Sequence, residues 1–574
     1  EIEERTRADG TILQAPREED VRALIPLWRA AGVQAVAVVL LHSYRNTENE
    51  RAIAQIIQQD APELTVSLSS AVVPQIGEYE RTSTTVLNAY TQVIAEPYLQ
   101  ALSQWLSEEG FPGRALVMLS SGGVAAPSVA GRFPVRMIES GPAAGVLAAV
   151  HFAKALDEQR LLSFDMGGTT AKACFIEGYQ PLITTQFEAA RVYRFKPGSG
   201  LPVAIPSVDL IEIGAGGGSI ARRDALNLLR VGPDSAGADP GPACYCLGGD
   251  APTVTDADLV LGYLDEASFL GGEMRLSKAR AEEAFGPLVA ALGISVREVA
   301  EGVHQLVNED MAAAVREHAV ERGIDYRGIP ILAFGGAGPV HACHVAELLE
   351  SASVIFPRAA SVLSAYGSLL TPVRMDLVRS ALSTLNSMDW ELARSLFAEM
   401  SAEGEQALTE AGVASSQMRW QASADMRYAG QQCLVTVPLP GRAPTVASIP
   451  SIVATFEREY EQIYGVRVAD IVPEVVNWRL TVSGAAGESA PESAQSRGSD
   501  GPTHPQRERT VFFDGRAHSA AVYARHLLRP GQTVSGPALV EERETTIVLR
   551  PGWRARVDQM GNLVAQREVN GDGQ

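Results

Sequence analysis

Cysteine is scarce. The 574-residue chain holds five, Cys174, Cys244, Cys246, Cys343 and Cys433, too few and too scattered for a disulfide framework. Only Cys244 and Cys246 lie close together, and a C-x-C without a second pair is not a zinc signature. Long apolar runs are missing as well. The longest, Ala35 to Leu41, falls far short of the roughly 20 residues that cross a bilayer. The opening Glu-Ile-Glu-Glu-Arg puts acids where a secretory signal would carry basic residues. Together these features read as a soluble, cytoplasmic protein. Basic residues are in deficit, 48 Lys and Arg against 68 Asp and Glu, for a formal charge of −20. Such a polyanion is repelled by nucleic acid and by anionic membrane surfaces, which argues against either as the main partner. Small anions held in local electropositive loops remain open. Several catalytic signatures are also absent: the chain has no G-x-x-x-x-G-K-[ST], no G-x-S-x-G and no H-E-x-x-H. P-loop, serine-elbow and zincin chemistries therefore have no local support.

Hydrophobic residues make up 46% and charged residues 20% of the sequence, an ordinary globular composition. At roughly 150 residues per domain, the length predicts three or four domains. Residues 17–70 alternate helix and strand: a helix over Glu18–Ala31, a strand over Gln34–Leu41, a helix from Asn46 and a strand at Leu64–Leu68, the pattern of a parallel sheet flanked by helices. The periodicity from Thr82 to Trp105 predicts a long helix. Gly141-Pro-Ala-Ala-Gly145 opens a small-residue helix running to Ala155. Residues 484–509 lack Val, Ile, Leu and aromatics and read as a solvated linker. Beyond it, Thr510–Phe513, Ala520–Tyr523 and Thr545–Leu549 predict short strands of a C-terminal β module.

The chain has 52 glycines, and the densest clusters form three loops. In Leu161-Leu-Ser-Phe-Asp-Met-Gly-Gly-Thr-Thr-Ala-Lys172 an apolar strand ends at Asp165. Gly167 and Gly168 then turn, and a second strand leaves. Two glycines remove the Cβ atoms that would keep a phosphate from the backbone N–H groups. Thr169 and Thr170 add hydroxyls, Lys172 can add positive charge, and Asp165 at the strand tip is placed to hold Mg²⁺. A plain hairpin with Gly-Gly at its turn fits the same residues. In Asp209-Leu-Ile-Glu-Ile-Gly-Ala-Gly-Gly-Gly-Ser219, a strand runs into Gly214, Gly216, Gly217 and Gly218. Ser219 stands where a dinucleotide fingerprint needs its last glycine, so a dehydrogenase is disfavoured. Asp209 and Glu212 are candidates for metal ligand or general base, with surface carboxylates as the competing reading. In Ile331-Leu-Ala-Phe-Gly-Gly-Ala-Gly-Pro-Val-His341, Gly335, Gly336 and Gly338 precede a helix, and a helix N-terminus behind glycines suits an anion. His341 and His344 on that helix are not i, i+4 and have no acidic partner nearby, so packing is the favoured reading. Ala238–Tyr245 and Thr253–Asp256 are turn-rich and read as cleft walls.

The order and wording of these segments carry a resemblance. Ile138-Glu-Ser-Gly-Pro-Ala-Ala-Gly145, Phe164–Thr170, Asp209–Ser219, Ser235–Tyr245 and Phe334–His341 closely resemble the hydantoinase/oxoprolinase A family. Asn477-Trp-Arg479 and Gly536–Glu541 extend the likeness over nearly the whole chain. The resemblance implies an α/β fold of the actin-like ATPase type, shared with sugar kinases and Hsp70-type chaperones, in two lobes with an additional β-rich C-terminal module. On that view Asp165–Thr170 is the second phosphate hairpin, Gly335–Gly338 the adenosine-side turn, and Gly214–Ser219 lines the same cleft. The cofactors implied are ATP and Mg²⁺. The reaction implied is ATP-dependent opening of a cyclic amide of the hydantoin or 5-oxoproline type, beside a hydantoinase B-type subunit in a hetero-oligomer. Capture of bicarbonate by a ketone, and a non-catalytic nucleotide-binding module, are the alternatives. Domains are expected at 1–135 (remainder of an N-terminal α/β lobe), 136–380 (ATP core), 381–483 (α+β), 484–509 (linker) and 510–574 (β module). Family members carry a first phosphate loop, Gly-Gly-Thr-Phe-Thr-Asp, near their N-terminus. This sequence has none and opens with Glu rather than Met, which reads as a truncated piece or as a chain completed by another.

Overall fold

The computed structural model describes residues 1–192, 198–468, 471–484 and 503–568. Most of the expected 484–509 linker therefore lies outside the described residues. The chain divides into two compact units, each assembled from separate stretches: 1–143, 183–208 and 371–488 in the first, and 144–182, 209–370 and 489–574 in the second. The division is discontinuous where the sequence reading is sequential.

In the first unit, Ala35–Val38 pairs in parallel with Thr65–Leu68, and helices Glu18–Ala30 and Glu48–Asp60 pack together. Their small core contains Val21, Ile25, Ile53 and Ile57. The long helix spans Glu78–Glu108. A four-stranded antiparallel sheet is formed by Arg374–Thr384, Pro473–Ser483, Arg419–Tyr428 and Val435–Pro438, in that order. Its core packs Trp478, Phe397, Tyr428 and Phe456. Within it Arg479 sits 2.7 Å from Asp425, to which Asn477 also donates at 2.8 Å. The Asn-Trp-Arg segment is thus a buried structural device: both polar side chains serve one buried carboxylate, which would otherwise be strongly unfavourable.

The second unit is built on a nine-stranded sheet. Strands β1 (Arg160–Met166) and β2 (Ala171–Glu177) form a hairpin, and β3 (Ile211–Ile213) pairs antiparallel with β2. Strand β4 (Ile331–Phe334) lies parallel to β1, and β5 (Ser353–Phe356) parallel to β4. Three strands from the end of the chain continue the sheet: β6 (Thr533–Ser535), β7 (Trp553–Val557) and β8 (Leu563–Arg567), with β8 against β5. The path is β3-β2-β1-β4-β5-β8-β7-β6, with Gln180–Pro181 paired to β2. Leu161, Leu162, Phe164 and Met166 of β1 are all buried, as expected for a strand covered on both faces, where an apolar run replaces alternation. The remaining C-terminal strands, Arg507–Phe513, Arg516–Ala524, Ala538–Glu541 and Thr546–Leu549, form a separate four-stranded sheet.

Among the helices that contribute side chains to the core of this unit, three lie against the glycine loops or the residues behind them. α1 (Val254–Val260) opens with a capping box between Thr253 and Asp256, and α2 (Val296–Glu321) with one between Ser295 and Glu298. Each box satisfies donors that the helix start leaves unpaired. α3 (Gly338–Leu348) follows β4 directly, with Pro339 in its first turn, where a missing N–H costs nothing. Among the described residues no helix is long and apolar enough to cross a membrane.

Candidate functional site

The three glycine loops come together at one end of β1 and β4. Gly167 N–H donates to Thr170 O at 3.0 Å and closes the hairpin turn. The second loop lies directly on this turn: Gly217 N–H donates to Gly167 O at 3.0 Å, and Gly218 N–H to Gly168 O at 2.6 Å. Contact is so close that a Cβ on Gly216 would fall 2.6 Å from the Thr169 carbonyl carbon. The third loop joins from the other side, with Ala337 N–H donating to Met166 O at 3.0 Å and Gly335 N–H to Ala360 O at 2.9 Å.

The loops differ in what they offer. Gly168, Thr169 and Gly336 are exposed, and Gly167 and Gly335 are partly so. Nothing lies within 4 Å of where a Gly168 side chain would project. These positions form an open backbone face. Gly216, Gly217, Gly218 and Ser219 are buried instead. Ser219 Oγ accepts from Gly216 N–H at 2.8 Å, and Thr255 donates both its N–H and its hydroxyl to Gly217 O, each at 2.8 Å. Gly214 lies at the start of this loop, against Pro233. The second loop therefore braces the 165–170 hairpin, the Gly217 and Gly218 amides spent on that hairpin and those of Gly216 and Ser219 spent within the loop itself.

Asp165 is half-buried at the end of β1, with Lys172 as its cross-strand partner on β2 and Phe334 beside it on β4. Burial pushes its carboxyl up to about 6, against the pull of the Lys172 charge. A nearby cation would stabilise the charged form that burial disfavours here. Lys172 Nζ lies 3.1 Å from Glu212 Oε1 and donates to Thr170 Oγ1 at 3.3 Å. Glu212 sits opposite Lys172 on β3, so this acid holds the hairpin lysine in place. Gly338 opens α3.

Asp209 is engaged elsewhere. Arg322 at the end of α2 clamps both its oxygens, Nε to Oδ2 at 2.6 Å and Nη2 to Oδ1 at 3.0 Å, with His318 Nε2 at 3.9 Å. A bidentate clamp of this kind takes one lone pair on each oxygen, so Asp209 serves an ion pair with Arg322. Sequence reasoning missed three supporting groups: Thr255 under the second loop, Ala360 behind Gly335, and Thr545, whose hydroxyl donates to Gly336 O at 2.9 Å. Thr255 lies in the turn-rich stretch already marked as a wall, but nothing local marks Thr545. Asp256 shapes that wall by accepting from the N–H groups of Cys244 at 2.8 Å and Thr253 at 2.9 Å.

The hydantoinase/oxoprolinase family profile matches residues 81–377, its C-terminal domain residues 383–568 and its N-terminal region residues 1–61. The chain belongs to the hydantoinase/oxoprolinase family. An uncharacterized protein of Methanocaldococcus jannaschii is 39% identical over 99% of this chain and 82% of its own length. The acetophenone carboxylase gamma subunit of Aromatoleum aromaticum is 32% identical over 98% of this chain and 78% of its own length. The crystal structure of the ATP-dependent caprolactamase from Pseudomonas jessenii superposes with a TM-score of 0.83 at 30% identity, covering 99% of this chain and 82% of that one. The fold is the actin-like ATPase fold of this family, and the glycine loops sit on the β3-β2-β1-β4-β5 part of the second unit's sheet. The family is one of ATP-dependent enzymes that spans lactam hydrolases and ketone carboxylases.

Proposed function

We propose that this chain is the ATP-using A subunit of a cyclic-amide hydrolase of the hydantoin or 5-oxoproline type, working in the cytoplasm beside a hydantoinase B-type subunit. The observation that carries this reading is the convergence of Gly167–Gly168, Gly335–Gly336 and Asp165 on one open backbone face. The backbone N–H groups of Gly168 and Thr169 would meet phosphate oxygens, Asp165 would hold Mg²⁺, and Gly335–Gly338 would receive the adenosine side. Gly336 borders a small cleft lined by Leu264 and Phe269 together with the acids Asp265, Glu541, Glu542 and Glu544. MgATP would supply a phosphoryl group that turns the amide oxygen into part of a good leaving group. The chain's own part is to position and neutralise: fixed N–H dipoles, Lys172 and a carboxylate-bound cation offset charge that the overall −20 would otherwise repel. Five free cysteines fit a reducing compartment.

A second reading has its own support. The likeness to the acetophenone carboxylase gamma subunit fits a carboxylase subunit acting on a ketone and bicarbonate with the same ATP site. The test is ATP consumption by the assembled complex. Hydantoin- or 5-oxoproline-dependent turnover supports the hydrolase, and ketone-plus-bicarbonate-dependent turnover supports the carboxylase. Tight MgATP binding with no turnover on either substrate overturns both in favour of a nucleotide-binding module.

A further inference from the structure

Beneath the glycine loops, α1, α2 and α3 bring three residues together that the sequence keeps far apart. Asp258 of α1, His304 of α2 and His341 of α3 are 2%, 5% and 0% exposed. Each offers one ligand-type atom, and the three atoms lie within 4.8 Å of one another.

The hydrogen bonds around this cluster fix its protons. Asn308 Nδ2 donates to the His304 carbonyl at 2.7 Å, and a carbonyl can only accept, so the amide orientation is set. The same Nδ2 reaches His344 Nδ1 at 3.1 Å. Asn308 Oδ1 therefore faces His341 Nδ1, at 3.1 Å, and Nδ1 must carry the hydrogen. In neutral His341 this leaves Nε2 as a bare lone pair, aimed at Asp258 Oδ2 from 3.3 Å. Two acceptors thus face each other in a buried space, and Nε2 has no hydrogen-bond partner. In the absence of an ion His304 Nδ1 donates to the other carboxylate oxygen, Oδ1, at 2.9 Å; a bound cation would take that nitrogen's lone pair in place of the proton.

A buried lone pair against a carboxylate needs either a shared proton or a metal cation between them. A charge-assisted N–H···O⁻ bond settles at roughly 2.7–2.9 Å. A tetrahedral zinc ion, with bonds of roughly 2.0–2.1 Å, holds adjacent N and O ligands about 3.3–3.4 Å apart. The observed 3.3 Å matches the second spacing. Asn308 on the far ring nitrogen of His341 is the kind of outer partner that metal-bound imidazoles keep. Arg550, whose charge is felt at His304, is neutralised by Glu347 at 3.1 Å and Asp514 at 2.9 Å.

We propose that Asp258, His304 and His341 form a structural site for a divalent cation of the zinc class. Two imidazole nitrogens and one carboxylate oxygen select a borderline ion over Mg²⁺. The ion would pin three helices, two of whose starts meet the glycine loops: Thr255, three residues before Asp258, holds Gly217, and Gly338, three residues before His341, ends the third loop.

The test is metal content of the full chain, purified from zinc-supplemented medium and dialysed against a weak chelator. Elemental analysis is expected to find about one zinc per chain in the wild type and none in His341→Gln or Asp258→Asn. Cobalt substitution of the wild type gives an answer that does not depend on a variant folding. Visible d–d bands without a thiolate charge-transfer band are expected, because no cysteine belongs to the site. A folded wild-type chain without zinc, a metal content unchanged in folded His341→Gln, or a cobalt spectrum dominated by thiolate each overturns the proposal. In the first case a shared proton bridges Asp258 and His341 instead.

Discussion

Asp165 stands where a side chain on Gly335 would have to go. A Cβ there would lie 2.4 Å from Asp165 Oδ1 and 2.4 Å from Met166 O, on a backbone at φ +87°. The glycine and the acid are therefore one structural decision: the third loop approaches β1 only because residue 335 has no side chain.

Gly335→Ala is expected to cost about 2–4 kcal/mol, since both strain and overlap must be relieved, and to abolish MgATP binding. Gly168→Ala, with open space at the same point, is expected to melt within a few degrees of wild type while weakening MgATP binding at least tenfold. Thermal melts paired with calorimetric titration check both. Equal melting losses for the two variants would refute the assignment of the open face.

Asp165→Asn should separate stability from chemistry. The Asp165 carboxyl sits at about 6 because burial disfavours its charge, above the roughly 3.9 of an unfolded aspartate. The folded state thus binds this proton more tightly, so stability is highest below about pH 4 and falls as pH rises to about 6. Neutral asparagine removes that decline. The variant should gain on the order of 1–3 kcal/mol at pH 7, yet lose ATP turnover in the assembled complex by at least about 100-fold. Denaturant unfolding at pH 4.5 and 7, beside a phosphate-release assay, decides it; undiminished turnover would remove Asp165 from the site.

Arg322→Ala leaves Asp209 buried without its clamp and is expected to destabilise the chain by about 2–4 kcal/mol. Pairing it with Asp209→Asn should recover most of that loss. Turnover per folded complex should stay within about threefold in the single variant Asp209→Asn. A collapse of turnover in that variant with folding intact would restore the base or ligand role that its place beside a glycine loop suggests.

Glu542, which lines the small cleft beside Gly336, offers a second pH test. It lies 3.2 Å from Arg525, both side chains under one-tenth exposed, and burial lifts its carboxyl to about 7 despite the arginine. The sign is the same as for Asp165: stability contributed by its neutral form is lost between about pH 4.5 and 7. Glu542→Gln should flatten the stability profile over that interval, measured as melting temperature against pH, and an unchanged profile would refute the shift.

What the sequence made legible depended on locality. Each glycine loop is a continuous string in which strand, turn and helix start follow one another, so Asp165, Gly167–Gly168 and Gly335–Gly338 could be read directly. Their meeting point required register, and register is where reading stopped. Asp209 and Glu212 looked equivalent as acids three apart in front of a glycine loop. Arg322, 113 positions away, claims the first, and a cross-strand lysine claims the second. The same limit hid the histidine cluster. His341 lacked an acidic neighbour in sequence because its acid is Asp258, on a different helix, reached through packing that no short-range pattern records.

The last strand of the second unit also governs when this protein can fold. Strand β5 finds its far-side partner in β8, residues 563–567, made roughly two hundred residues later. At about 5–20 residues per second of synthesis, the ribosome keeps that sheet edge unpaired for roughly 10–40 s. For that interval Ser353–Phe356, Ser-Val-Ile-Phe, is an apolar edge with its ladder groups unpaired, the kind of surface that recruits foreign strands. A nascent chain stalled before residue 560 would keep that edge unpaired.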